Sequence, residues 1–425
     1  MTKLKNIKNI AVILFLFLNI NIVSAQNTVL YLDSCYAMAN RNYPLISQFN
    51  LLEKSKEYSI DNANKGYLPQ LGIYGQATYQ SEVTQVQIPL PNVDIPKISK
   101  DQYKLYGEVV QPITDLFNLK NQKEVIKANY QVEEQKIEVE LYKLHERINN
   151  LFFGILLIDA QNEQVNLLIK DIKVGINKLN AAIENGVAVQ SDADNLKAEL
   201  LKANQKIIEL DVNRKAFTQM LSHFIGTEIT ESTELVKPQF QINTNEINRP
   251  ELLMFEMQEK TFDAQKKLIN AKVLPYFNLF FQGGVGRPAL NMLSNDLDGY
   301  YITGLRLNWR ISNFYTFKKE KKIVDLNKQG VDIQRQMFLF NTNLLLQQQN
   351  SEIDKYLQLI NTDNDIISLK ENVKNTTKNQ LEYGTATSND YVTAVNAQNQ
   401  AQQNLALHKI QLLMAQYNYK TTLGN

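Results

Sequence analysis

The sequence predicts a mainly α-helical, internally duplicated chain that contributes four membrane-length β-strands to a barrel shared by three copies. Three observations support this fold class. The two long stretches 113–237 and 314–425 contain no proline and carry apolar residues at helical spacing. Four segments of about ten residues alternate apolar and polar side chains, which is typical of tilted membrane strands. The order helix, strand pair, long helix, shorter helix occurs twice.

The longest predicted helix organises the first half of the chain, from Leu119 to Ile183. Its apolar residues recur at alternating steps of three and four, which average about 3.5 residues, the period of a coiled coil. Only Asn162 interrupts this seam. The seam consists of Leu141, Leu144, Ile148, Leu151, Ile155, Ile158, Val165, Ile169, Ile172, Ile176, Leu179 and Ile183. At about 1.5 Å per residue the helix would be roughly 100 Å long, so we expect it to bridge two distant places.

The N-terminal residues 1–25 predict a secretory signal peptide. Three lysines and no acid precede an apolar run from Ile10 to Leu18, and small residues lead to a cleavage site after Ala25. The alternative, a membrane anchor, needs about 20 apolar residues, and this run is shorter. The formal net charge of +1 gives no bulk attraction to nucleic acid, which we therefore exclude as a partner. The only cysteine, Cys35, is expected to be a small buried residue near a helix start.

The remaining elements follow in order. Residues 26–226 form the first repeat, residues 227–248 a linker, and residues 249–425 the second repeat. The first repeat contains a helix, strands 69–80 and 103–113, a long helix 114–184 and a helix 188–226. The second contains a helix, strands 275–286 and 300–312, a long helix 314–382 and a helix 387–422. Landmarks after the strand pairs keep a constant offset, because Ile113 to Ile311 and Gly186 to Gly384 both span 198 positions.

The strands predict a shared barrel. In the third strand Phe277, Leu279 and Phe281 alternate with Asn278 and Gln282, so one face suits lipid and the other a watery lumen. Four strands cannot close a membrane barrel, and open edges in lipid are costly, whereas three chains supply twelve strands. The alternative is a pair of amphipathic hairpins with the apolar face packed on a soluble core.

Several short motifs then carry a family resemblance. Leu68-Pro69 and Leu274-Pro275 introduce strands, and Glu184-Asn185-Gly186-Val187 and Glu382-Tyr383-Gly384-Thr385 end the long helices. An aspartate, Asp192 or Asp390, stands six residues after each of these glycines. In this ordered set the chain resembles the TolC family of trimeric outer-membrane efflux channels over essentially the whole mature chain.

The resemblance implies a homotrimer in the outer membrane of a Gram-negative bacterium, with a β-barrel in the lipid and a helical tunnel in the periplasm. Such a passive exit duct has no cofactor and no energy source. A periplasmic adaptor (membrane fusion protein) and an inner-membrane pump of the RND or ABC type would load it. Two alternatives without a pore in the outer membrane remain: a periplasmic adaptor and a secreted coiled-coil scaffold.

The resemblance also implies that the two glycine turns contact the adaptor. A residue without a side chain allows close backbone approach, although a glycine that merely ends a helix is the simpler interpretation. This sequence departs from the common valine-glycine-leucine form. The adaptor-contact candidates are Asn185, Gly186, Val187, Tyr383, Gly384 and Thr385.

Asp192 and Asp390 have two interpretations. The resemblance implies an acidic pore gate in the second turn, although a further acid expected there is replaced by Thr393. Alternatively, each carboxylate caps a helix N-terminus, with Ser191 and Ser388 as natural cap partners. The cap interpretation is favoured for Asp192, and the two are balanced for Asp390.

Catalysis and metal binding are not expected. The three histidines, His145, His223 and His408, lie on separate predicted helices without cysteine or carboxylate at ligand spacing. The glycine-rich run 283–286 lies in a strand and lacks the Gly-Lys-Ser/Thr ending of a phosphate loop. We therefore predict that the chain is not an enzyme. The aromatic residues Tyr103, Tyr301 and Trp309 are expected at the membrane interface, with ordinary strand packing as the alternative.

Overall fold

The computed structural model describes residues 29–85, 98–114, 116–186, 188–230, 233–241, 244 and 246–425. The predicted signal peptide, most of the proline-containing loop after the first strand, and Val187 lie outside these residues. The chain divides into two compact units, and each unit takes segments from both halves of the sequence. One combines the residues up to Tyr43 with His145–Gln241 and Ser351–Asn418, and the other combines Pro44–Leu144, Ile242–Asn350 and Tyr419–Asn425.

Helices account for most of the described residues. The helices are α1 (Leu32–Asn42), α2 (Ser47–Lys65), α3 (Leu116–Tyr142), α4 (Leu144–Glu184), α5 (Gln190–Ile225), α6 (Pro250–Lys272), α7 (Phe314–Glu382) and α8 (Ser388–Leu423). The strands are β1 (Val29–Leu30), β2 (Gln70–Tyr79), β3 (Asp101–Pro112), β4 (Glu234–Leu235), β5 (Tyr276–Arg287) and β6 (Asp298–Asn308). The mainly helical fold class with four longer strands is confirmed. Within the described residues, every helix is too short or too polar to serve as a membrane span.

The long helix of the first half differs in detail from the expectation. It is interrupted at Lys143, so that α3 and α4 replace one continuous helix. The Lys143 amide still donates to the Val139 carbonyl at 3.3 Å, so the interruption is a single residue with a long hydrogen bond. The boundary between the two compact units follows one residue later, after Leu144.

The glycine that follows α2 has a different role from the one its position suggests. Gly66 has φ −61° and ψ −18°, so it is right-handed and not the left-handed cap that favours glycine. A Cβ built on Gly66 would lie 2.6 Å from the Leu119 side chain of α3. A side chain at this position would require the Leu119 side chain to shift, because the end of α2 lies close to α3.

The four longer strands form one antiparallel sheet in the order β2-β3-β5-β6. Residues in register across an antiparallel sheet point to the same face. Leu71, Val109, Phe281 and Thr303 form one such row, and the neighbouring row on the opposite face contains Gly72, Glu108, Gln282 and Ile302. The pairing thus gathers the apolar positions of all four strands on one face and most polar positions on the other.

The apolar face of this sheet is uncovered in the single chain. Ile73 is 84 % exposed, Leu279 51 % and Leu305 59 %. The outer edges of β2 and β6 are not paired with another described strand. A broad apolar surface of this kind is unusual for a soluble monomer and indicates contact with lipid or another chain.

The unit that contains α4 and α5 has its core in the seam between these helices. Ile158 and Val165 of α4 pack with Ala203 and Leu210 of α5. The predicted seam is therefore buried as its period indicates. The interrupting residue, Asn162, donates from Nδ2 to the Asp211 carboxylate at 3.0 Å, so the polar break in the seam is bonded to the neighbouring helix.

Cys35 lies near the start of α1 and is completely buried, as predicted. Burial raises the pKa of the Cys35 thiol to about 12, because a buried site disfavours the charged thiolate. We expect this thiol to be unreactive at neutral pH.

Candidate functional site

The turn between α4 and α5 is closed by a left-handed glycine. Gly186 has φ +75°, a conformation that L-residues with side chains rarely adopt. Its amide donates to the Ile183 carbonyl at 2.9 Å, and the Asn185 side chain donates to the Ala181 carbonyl at 2.7 Å. A Cβ built on Gly186 would meet nothing within 4 Å. The glycine is required by its conformation, and the space in front of it is open within this chain.

The turn between α7 and α8 is also closed by a glycine with positive φ, and more hydrogen bonds hold it. Gly384 has φ +72° and open space at its Cβ position. The Thr385 amide and hydroxyl both donate to the Gln380 carbonyl, at 2.9 and 3.1 Å, which is the bonding of a Schellman cap. Tyr383 projects its ring outward and is 84 % exposed.

Asp390 takes part in a reciprocal cap at the start of α8. The Thr387 amide and hydroxyl donate to the Asp390 carboxylate at 2.9 and 2.7 Å, and the Asp390 amide donates back to the Thr387 hydroxyl at 3.2 Å. The Thr387 hydroxyl and amide hold the pKa of Asp390 below its ordinary value. The expected cap residue, Ser388, is the first residue of α8, and its side chain lies outside what the structure describes.

Asp192 lies in the first turn of α5, where a negative charge favours the helix dipole. The residue before this helix is Val189, which has no side-chain cap. Ser191, the expected cap partner, lies inside the helix. The Asp192 amide donates to the Val189 carbonyl at 3.0 Å. A pore-gate role for either aspartate depends on other copies of the chain and stays a prediction.

The two turns belong to the same compact unit, and their helices share a core. Ile172 and Leu179 of α4 pack with Leu196 of α5, and Val392 of α8 joins this cluster. Ion pairs also connect α4 to α7. Lys374 lies 3.1 Å from the Asp171 carboxylate, and Lys178 pairs with Glu382 immediately before the second turn.

The polar face of the sheet carries aromatic and charged side chains. Tyr74, Tyr106 and Tyr300 stand in one row across the strands, and the Tyr74 and Tyr106 rings stack with centroids 5.3 Å apart. Arg306 of β6 lies 2.9 Å from the carboxylate of Glu108 in β3, across the intervening strand β5. This face could line a water-filled passage.

An exposed apolar stripe on α7 was missed by the sequence analysis. Its residues recur at steps of three, four and seven, which fit a coiled-coil seam, yet no described residue covers them. The stripe consists of Ile323, Leu326, Ile333, Met337, Phe340 and Leu344, all at least half exposed. The same step counting that found the first seam would have found this one, but not that it is unpartnered.

The three histidines lie on three different helices, α4, α5 and α8. His408 contacts the Asp363 carboxylate at 2.6 Å and His145 stacks on Tyr36 at 4.1 Å. Across the described residues no group of three or more potential ligands could hold a metal ion. Of the aromatic residues expected at the membrane interface, Trp309 donates its indole N–H to the Val273 carbonyl and is half exposed.

Comparison with known proteins shows similarity to solved structures but not to known sequences. No family model matches the sequence, and no curated protein matches it. The structure is similar to the outer membrane protein VceC from Vibrio cholerae, with a TM-score of 0.64 at 13 % identity over 93 % of this chain and 96 % of that one. It is similar to CusC, a transmembrane channel, with a TM-score of 0.69 at 13 % identity over 92 % and 91 %.

The open outer membrane channel MtrE from Neisseria gonorrhoeae gives a comparable result, with a TM-score of 0.65 at 13 % identity over 93 % of this chain and 89 % of that one. These neighbours are TolC-like, so the resemblance inferred from the sequence motifs is confirmed at the level of the fold.

Proposed function

We propose that this chain, which has the TolC-like channel fold, is the outer-membrane exit duct of a tripartite export system. The single observation that carries the proposal is the exposed apolar face of the four-stranded sheet. Its strands have 10, 12, 12 and 11 residues, a length that crosses a bilayer when the strands are tilted. The apolar face would contact lipid, and the face with Tyr106 and Glu108 would line the lumen.

The open sheet edges favour a homotrimer. The outer edges of β2 and β6 would leave backbone groups unbonded in lipid, at a cost of several kcal/mol for each group. If β6 of one copy pairs with β2 of the next, three copies close a barrel of twelve strands. The uncovered stripe on α7, with Met337 and Phe340 at its centre, offers a second surface for contact between copies.

The two turns would contact a periplasmic adaptor. Gly186 and Gly384 both present left-handed backbone with open space in front of it, and the exposed Tyr383 ring flanks the second. The candidate surface comprises Asn185, Gly186, Val187, Tyr383, Gly384 and Thr385. An inner-membrane pump of the RND or ABC type would supply the energy, and docking would open a passive channel. Before docking, in the closed channel, Asp192 and Asp390 of each protomer would approach the same residues of the other two protomers at the end of the helical tunnel.

The alternatives without a pore fit the sheet less well. A secreted scaffold or a soluble core with amphipathic hairpins would place the apolar face inside. In the described residues that face is exposed, with Phe281 and Leu307 among its members. A periplasmic adaptor would not need four paired strands of membrane length.

Two substitutions in neighbouring positions of β5 test the proposal. Phe281→Lys puts a charge on the apolar face, where a lysine near the middle of the bilayer costs about 2–4 kcal/mol. Gln282→Lys adds the same charge on the opposite face and is the matched control. We expect the control to remain in the outer-membrane fraction as a trimer that dissociates on heating, and Phe281→Lys to lose both properties. Equal assembly of the two variants, or a monomer in detergent-free buffer, would refute the proposal.

A further inference from the structure

Four helix ends meet beside one end of the sheet. The end of α2 contacts α3, because Gly66 lies against Leu119. α3 is connected to α6, because the Lys267 ammonium lies 3.1 Å from the Glu124 carboxylate. α6 is connected to the start of α7, because the Asn313 side chain donates to the Lys272 carbonyl at 2.7 Å. β2 and β5 begin, and β3 and β6 end, beside these helices, so all four junctions between strand and helix lie at the same end of the antiparallel sheet.

Lysines are concentrated at this level, and only some of them are neutralised. Lys266, Lys267 and Lys272 form ion pairs with Asp325, Glu124 and Glu320. The others have no carboxylate within ion-pair distance among the described residues, and most of them are exposed. We call six of these the basic collar: Lys65, Lys120, Lys123, Lys318, Lys319 and Lys322.

Aromatic side chains stand next to the basic collar. Trp309 follows β6, and Phe314 meets it edge to face with ring centroids 6.5 Å apart. Tyr315, one turn before Lys318 and Lys319 on α7, is 82 % exposed. Aromatic rings beside lysines are typical of the boundary between hydrocarbon and headgroups.

The other end of the sheet lacks this surplus. Its described residues carry Glu82, Asp101, Asp296 and Asp298 against Lys100 and Arg287. Among the described residues beside the sheet, the surplus of positive charge thus lies at the helix end. A surface so placed is complementary to negatively charged headgroups and not to a neutral bilayer.

We propose that the basic collar binds the headgroups of anionic phospholipids in the membrane leaflet nearest the helices. This inference rests on the proposed function, because it needs the sheet to span a bilayer. The collar lysines would contact the lipid phosphates as point charges, while Trp309 and Tyr315 sit at headgroup depth. The preference would be electrostatic, so salt should weaken it.

The chain contains its own reporter, because Trp309 is its only tryptophan. The assembled protein is reconstituted into bilayers that mix phosphatidylglycerol and phosphatidylcholine, with bromine on the acyl chains of one lipid at a time. Quenching of the Trp309 fluorescence then gives the relative occupancy of the two lipids next to the collar. We expect a preference of about fivefold to tenfold for phosphatidylglycerol, falling as sodium chloride is raised.

The test variant is Lys318→Gln/Lys319→Gln/Lys322→Gln. The matched control is Lys173→Gln/Lys370→Gln/Lys409→Gln, which removes three exposed helix lysines of the other unit. The test variant should bring the preference close to one, and the control should keep it. Equal quenching by both lipids in the unmodified protein, or an unchanged preference in the test variant, would overturn the proposal.

Inorganic phosphate at matched ionic strength separates the two sources of phosphate. Added phosphate should leave the preference for phosphatidylglycerol unchanged. Loss of that preference would mean that the lysines bind free phosphate and not lipid. Failure of the proposed function gives a different result, since a chain outside the bilayer would be quenched by neither brominated lipid.

Discussion

The two glycine turns share their backbone and differ in what surrounds it. Gly186 and Gly384 have φ values of +75° and +72°, and both have open space at the Cβ position. Only the second turn is followed by a reciprocal cap, between Thr387 and Asp390. Before α5 the equivalent position is Val189, which supplies no side-chain cap.

Both turns have an exposed glycine backbone, which is the feature that a docking surface needs. They differ in how firmly the first turn of the following helix is held. The second turn is also connected to α4 by the Lys178–Glu382 pair. We therefore expect docking to be disrupted from either turn, and local opening to be easier at the first.

The largest loss of export is expected when a bulky side chain replaces either turn glycine. Gly384→Trp should abolish export while leaving trimers intact, because the indole would fill the space in front of the turn. Gly186→Trp should do the same. Gly384→Ala has the same backbone strain at positive φ with little bulk, so it should retain most export. Export is followed as drug or metal susceptibility in a strain without its own channel, and trimers by heat-dependent gel mobility. Normal export by Gly384→Trp would remove this turn from the docking surface.

A smaller effect is expected from the cap. Asp390→Ala removes the acceptor for the Thr387 amide and hydroxyl, so the first turn of α8 should open more often. Asp192→Ala removes a favourable charge from the first turn of α5, where the N-cap residue Val189 supplies no side-chain cap. Hydrogen exchange of the amides at the start of each helix should rise several-fold in the first variant and less in the second. If both helices respond alike, the asymmetry between the turns has no energetic meaning.

The pH dependence of the second turn follows from the same cap. The folded pKa of Asp390 lies below its ordinary value of 3.8, so the ionised carboxylate stabilises the turn. This stabilisation is complete above pH 3.8 and is lost as the pH falls through the lowered folded value. The protection factor of the Thr387 amide, which corrects for the intrinsic pH dependence of exchange, should fall below that pH, and Asp390→Asn should remove this fall. An unchanged profile in Asp390→Asn would assign the titration to another group.

The smallest effect is expected from the Lys178–Glu382 pair. Exposed ion pairs contribute little because solvent screens them. Lys178→Gln and Glu382→Gln should each change the thermal stability of the trimer only slightly. A double-mutant cycle in low and high salt measures the coupling. A large coupling that persists in high salt would show that this pair holds the second turn closed.

The sequence predicted the helices and strands, because each is marked by a short-range repeat of apolar residues. Periods of 3.5 and 2 placed the helices and strands, because burial on one face imposes those periods. It did not predict that Thr387 caps α8, because the choice between adjacent Thr387 and Ser388 depends on where the helix begins. Nor did it predict the interruption at Lys143. The sequence also could not predict that Met337 and Phe340 are exposed in the single chain. The pattern of a seam is the same whether its partner lies in the same chain or in another.

The uncovered apolar surfaces of the sheet and of α7 have a consequence for the cell. If the chain forms the proposed homotrimer, a lone protomer exposes both surfaces to water, and its folded form would depend on finding two further copies. When most chains are still unassembled, the amount of trimer varies with the cube of protomer concentration. Halving synthesis would then lower the assembled channel about eightfold, so gene dosage controls capacity far more steeply than it controls protein mass.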